Sequence, residues 1–109
     1  MTNTKTLKSG SNKGSRRIWV EGDFLRDNGI LNGQRFAKSI EADGCLVLTI
    51  CQPGPKTHKI AGTVSRPIID LCGAWVTAFM GENANFTVTI NGGQIAGFIQ
   101  PVIVIRPVS

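Results

Sequence analysis

The stretch Arg17–Ile50, RIWVEGDFLRDNGILNGQRFAKSIEADGCLVLTI, decides the fold. Arg17 to Glu21 alternates apolar and polar residues and is rich in β-formers, and Gly22 ends it. Phe24 to Asn28 reads as a short helix, with Asp23 as its N-cap and Gly29 as the residue that stops it. A turn through Ile30-Leu31-Asn32-Gly33 feeds a strand from Gln34 to Ile40. Glu41-Ala42-Asp43-Gly44 reads as a hairpin turn, because Asp-Gly supplies the positive φ such turns need. Cys45 to Cys51 is a continuous apolar run, read as a strand buried on both faces.

The same skeleton returns, more weakly, between Pro67 and Gln100. Gly22, Phe24 and Leu25 find counterparts in Gly73, Trp75 and Val76; Phe36 finds Phe86, and Gly44 finds Gly93. The second copy reads as a strand (Ile68–Cys72), a helix (Ala74–Met80), a strand (Asn85–Ile90), a turn at Asn91-Gly92-Gly93 and a strand (Gln94–Gln100). Pro101 to Arg106 is read as a last, β-branched strand. Phe36 stands eight residues before its glycine and Phe86 seven. That extra residue predicts a bulge near Lys38-Ser39 or a longer turn. A unit of this size cannot bury a core alone, so the two copies are expected to pack or interlock.

The fold class expected is mainly β with short helices, as one domain. Two repeats, 17–53 and 66–105, are joined by a Pro/Gly/Lys linker, Gln52 to Lys59, with a short extra strand from Ile60 to Val64. The chain has 109 residues, 13 of them glycine, with 17% charged. No apolar run is long enough to span a bilayer and the start has no apolar signal region, so a cytoplasmic protein is expected.

Charge is concentrated at one end. Residues 1–17 carry Lys5, Lys8, Lys13, Arg16 and Arg17 and no acid, which equals the net charge of +5 for the whole chain. Residues 1–15 are otherwise Thr, Ser, Asn and Gly apart from Met1 and Leu7, and are expected to form a disordered basic arm of the kind that binds nucleic acid by counterion release. The nucleic-acid-binding candidates are Lys13, Arg16, Arg17, Arg26, Arg35, Lys38, Lys56 and Lys59. The second repeat, with no basic residue between Arg66 and Arg106, is expected to be a neutral scaffold or a surface for a protein partner.

Other chemistry is sparsely supplied. Cys45, Cys51 and Cys72 are read as small hydrophobes in a reducing compartment, though a Cys45–Cys51 or Cys51–Cys72 bridge is open to the spacing. No metal site or cofactor is expected, since C-x-x-C is lacking and the single histidine, His58, lies in the linker. The seven aromatics are assigned to the core, with base stacking by Trp19 as the alternative.

Glycine, aromatic and leucine positions in this order, closed by Gly44-Cys45-Leu46-Val47-Leu48-Thr49, resemble the SymE-type toxin family of the AbrB-like swapped-hairpin superfamily. The resemblance covers Ile18 to Pro53, and Ile68 to Ile99 repeats it through Gly73, Trp75, Phe79, Gly93 and Ile95. It implies an AbrB-like swapped-hairpin β-barrel formed as an intrachain pseudo-dimer, monomeric or further homodimerised. It also implies a DNA-binding protein of toxin–antitoxin or mobile-element type. RNA cleavage enters through the resemblance alone, with no catalytic residue to name. A small inhibitor of a host enzyme, acting by protein contact, is the alternative from another class.

Overall fold

The computed structural model describes residues 2–95 and 98–108. Along the chain lie β1 (Thr2–Lys8), β2 (Gly10–Asn12), β3 (Ser15–Glu21), α1 (Asp23–Arg26), β4 (Arg35–Ile40) and β5 (Leu46–Cys51). Then come β6 (His58–Lys59), β7 (Ala61–Gly62), β8 (Pro67–Cys72), α2 (Ala74–Met80), β9 (Asn85–Ile95) and β10 (Phe98–Val108). The two sets have the same order of elements, so the repeat begins at β1 and again at β6, earlier in each half than the sequence skeleton indicated.

Two antiparallel sheets result. The larger runs β1-β9-β10-β5-β4-β6 and the smaller β2-β3-β8-β7, and each order reads the same when the halves are exchanged. Pairings within a half (β2–β3, β4–β5, β7–β8 and β9–β10) alternate with pairings that cross between halves: β1 lies on β9, β6 on β4, β5 on β10 and β3 on β8. The middle of the small sheet is the pair Trp19–Asp70, flanked by Ile18–Leu71 and Val20–Ile69. The middle of the large one is Val47–Val104. Among the described residues the sheets stay separate and do not close into the β-barrel the resemblance implied.

Alternation explains the core. Ile18 and Val20 of β3, Leu46 and Leu48 of β5, Phe86 and Val88 of β9, and Ile103 and Ile105 of β10 are buried between the sheets. Leu25 of α1 and Val76 and Met80 of α2 join them. Each fully buried side chain of this size contributes about 1.5–3 kcal/mol, which lets so short a chain hold two sheets together. Val47 and Thr49 on the other face of β5 are only half-buried, so that strand is not buried on both faces.

Local signals behave unevenly. Gly29, at φ 84°, stops α1 in a Schellman arrangement, its N–H bonding the Arg26 carbonyl and that of Ile30 bonding the Leu25 carbonyl. Asp23 is not the cap: Gly22 holds that position, and Asp23 sits in the first turn, 2.9 Å from Arg26. The β4–β5 turn closes through Gly44 at φ 86°, whose N–H bonds the Glu41 carbonyl. The register from Arg35–Cys51 to Ile40–Leu46 is unbroken, so β4 has no bulge at Lys38-Ser39.

Three expectations are corrected. The amino-terminal segment is strand, not a disordered arm, because β9 offers a free ladder edge that Thr2 to Lys8 completes, Leu7 beside Phe86. Asn91-Gly92-Gly93 are strand residues of β9, since the ladder with β10 extends from Asn85–Val108 to Ile95–Phe98. Phe36 therefore faces Ile50 and Phe86 faces Pro107, so Gly93 is not the counterpart of Gly44. Finally, β10 is one strand from Phe98 to Val108 rather than two.

Candidate nucleic-acid interface

Register assigns each basic side chain to a face. In β1, Leu7 lies opposite buried Phe86, which puts Lys8 on the outer face of the large sheet beside Asn85. In β6, His58 lies opposite buried Phe36, which puts Lys59 on that outer face beside Arg35. Lys8 and Lys59 are thus equivalents in the two halves, one at each edge of the same sheet. Between them the outer face carries half-buried Val47, Thr49, Thr89, Val102 and Val104, together with Arg35 of β4 and Arg106 of β10.

Arginine and lysine divide sharply. Arg16 is held by the Ser9 hydroxyl and the Asn83 carbonyl, and fixes the β2–β3 hairpin against the end of α2. Arg17 makes a two-pronged bond to Asp70 at 2.8 Å and stacks 4.4 Å from the Trp19 ring centroid. Asp70 in turn raises the Arg17 pKa. Arg26 sits 2.9 Å from Asp23 and 3.7 Å from Asp27. Arg35 donates to the Thr57 hydroxyl and carbonyl at 3.0 and 2.8 Å, tying the linker to β4. Arg66 pairs with Glu21, and Arg106 with Asp43.

Among the described residues every ion pair uses an arginine, and none uses a lysine. Lys13 stands in the β2–β3 turn, and Lys56 and Lys59 are exposed at the other edge. Lys38 lies over Trp75, its Nζ 4.0 Å from the ring centroid. Of the eight residues expected at the interface, the four arginines are engaged in internal bonds and the four lysines carry uncompensated charge. Lys5 and Lys8, expected in the basic arm but outside the eight named candidates, stand on β1 at the sheet edge, with Lys5 5.9 Å from the Phe24 ring.

Redrawing the halves also redistributes the charge. Residues 1–51 have eight basic and five acidic side chains, and residues 52–109 have four and two, so the halves carry +3 and +2. The neutral second half disappears once Lys56 and Lys59 are counted in it.

The remaining groups offer little concerted chemistry. The His58 ring leans on Phe36 with centroids 5.5 Å apart. Desolvation there, then the charges of Lys38 and Arg35, lower its pKa, although the residue as a whole is exposed. Cys45 is buried and its thiol donates to Asp43 at 2.9 Å, which raises the thiol and lowers the carboxyl. Cys51 is half-buried and Cys72 exposed, so only one of three cysteines is the buried hydrophobe expected; all three are free. Trp19, expected in the core, is 36% exposed. Phe24, Trp75 and Phe79 only border the core, while the Phe98 side chain lies outside the description. A cavity of about 410 Å³ beside α1 has a lining of mixed sign, with Lys5 and Arg66 against Glu21 and Asp23.

No helix among the described residues is long and apolar enough to cross a membrane. Comparison with family models, with curated proteins and with solved structures finds no match to this chain.

Proposed function

We propose that the chain is a nucleic-acid-binding protein, for DNA ahead of RNA, on the SymE/AbrB-like swapped-hairpin plan, with two tandem units acting as each other's partner. The carrying observation is the separation of cations: the arginines are tied into the fold, and the lysines are left unpaired on both edges of the large sheet. Lysine is a compact, flexibly mounted point charge that needs no fixed geometry to meet a phosphate. The exchange of β1 and β6 between halves supports the swapped plan.

The test is the dissociation constant for an oligonucleotide measured across salt concentrations. Affinity is expected to fall steeply with salt, and Lys8→Ala and Lys59→Ala each to take about 0.9 off the logarithmic slope. Arg26→Ala, which removes a cation already paired with two aspartates, is expected to leave that slope unchanged. Binding that ignores salt would dispose of the reading.

A second reading, a protein-interaction module, is favoured by Trp19. It stands in the middle of the small sheet, stacked by Arg17 and beside Asp70, and tryptophan and arginine dominate protein hot spots. A partner retained at high salt and lost in Trp19→Ala would favour it.

A further inference from the structure

Resting on that reading, we infer that backbone phosphates of the nucleic acid are gripped at one corner of the large sheet, where β4 meets β6, and that His58 takes up a proton as they bind. Four cations meet there: Arg35 and Lys38 of β4, Lys59 of β6, and Lys56 in the turn just before it. No acid stands between Asp43 and Asp70 in the sequence. The nearest acid along β4, Glu41, lies past the end of the strand, where it accepts the Ser39 hydroxyl. Arg35 is drawn to the sheet edge by Thr57, a neutral partner that occupies two of its five N–H donors and leaves its charge unbalanced.

The first half supplies the comparison, because it builds the same corner from β1 and β9. Register matches Leu7 with His58, Lys8 with Lys59 and Asn85 with Arg35. Val88, two residues beyond Phe86, takes the place that Lys38 takes beyond Phe36. Each helix follows a glycine at the end of a strand, so Glu21 and Asp23 match Cys72 and Ala74. In the first corner Leu7 packs on the core, Val88 is fully buried, and Lys5 shares a cavity with the two acids. The fold is thus served by leucine and valine where the second half has His58 and Lys38, and by acids where it has none. Proteins depart from their own packing pattern chiefly at functional sites. The departures here all add positive charge or remove negative charge, which fits a phosphodiester.

His58 is the group in this corner whose charge changes near neutral pH. Its ring leans on Phe36. From β4 it faces Arg35 and Lys38, the linker adds Lys56, β6 itself adds Lys59, and Trp75 of α2, beneath Lys38, is uncharged. Desolvation, then the charges of Lys38 and Arg35, hold its pKa below the ordinary value. A phosphodiester stays anionic throughout this range, so its arrival offsets the repulsion and favours the imidazolium. Binding then takes up a proton at pH values between the free and the bound titrations. Affinity is therefore flat at high pH and rises as pH falls through the ordinary histidine range.

The chain has a single histidine, so its imidazole C–H resonances identify it in proton NMR. The experiment titrates them in the full chain, alone and saturated with a DNA duplex, beside fluorescence anisotropy of the labelled duplex. DNA is expected to move the His58 titration to higher pH, and affinity to rise more than about threefold from about pH 7.5 to about pH 5.5. His58→Leu is expected to abolish that rise, and Lys38→Val to take about 0.9 off the logarithmic salt slope. Each introduces the residue that the first half carries at the matching place, and the wild-type NMR titration needs no variant to fold. A His58 titration unmoved by a duplex that binds with steep salt dependence would overturn the corner and leave the nucleic-acid reading standing. Loss of salt-dependent binding itself would remove that reading. An equal shift on adding polyglutamate in place of DNA would give the corner to an acidic protein instead.

Discussion

Lys38 Nζ stands 4.0 Å above the centroid of the Trp75 ring, joining a strand of the first half to the helix of the second. Lys38 shares its strand face with Phe36, so the ammonium closes the open rim of the core over a half-buried indole. Lys38→Ala is expected to lower stability by about 0.5–1 kcal/mol and to shift tryptophan emission. Chemical denaturation followed by fluorescence reads both, and Lys38→Met, which keeps the aliphatic stem, separates the cation from its packing.

Removing residues 2–8 is expected to destabilise the protein by about 1–3 kcal/mol, because β9 loses its outer partner and Leu7 its contact with the core. A free tail would leave the melting temperature unchanged. Thermal unfolding of the shortened chain checks this, and its bare β9 edge should also raise aggregation.

Gly62 and Gly14 form a controlled pair. Both hold positive φ, at 88° and 84°, but a Cβ on Gly62 would fall 2.1 Å from the Arg66 carbonyl oxygen, while one on Gly14 meets nothing within 4 Å. Gly14→Ala is expected to cost about 1 kcal/mol and Gly62→Ala about 3 kcal/mol or more, since only the latter must move backbone. Urea midpoints of the two variants give the comparison.

His58 makes stability depend on pH. Its folded pKa is lowered by desolvation against Phe36 and by Lys38 and Arg35, so the unfolded chain binds the proton more readily. Stability is therefore complete above the ordinary histidine value and falls as pH drops through it towards the folded value. Melting temperature is expected to decline from about pH 7.5 to about pH 5.5, and less so in His58→Gln. An equal decline in both proteins would contradict it.

What was legible in the sequence was local. The helix Ala74–Met80 and the turn at Gly44 follow from signals contained within a few residues. The strand at Thr2–Lys8 was illegible because its reason is non-local: polar residues with one leucine make poor core, but they complete a ladder edge that belongs to residues 85–91. Its faint signature is the period-two spacing of Thr2, Thr4 and Thr6. Asn91-Gly92-Gly93 misled in the opposite sense, since turn-forming residues were drawn into a strand by the partner opposite, Gln100 to Val102. The interface suffered from both effects. Its lysines were counted by segment, whereas their grouping depends on which edge each segment joins.

Thr2 is opposite Asn91, and that pairing joins two segments far apart in sequence. On a ribosome, β1 waits for the whole stretch up to β9 to emerge, and β4 waits for β6. Long-range antiparallel pairing of this kind makes folding slow for a protein of its size. Until then β1 and β4 each expose an unsatisfied edge to neighbouring nascent chains, so this chain's vulnerable period is its own synthesis.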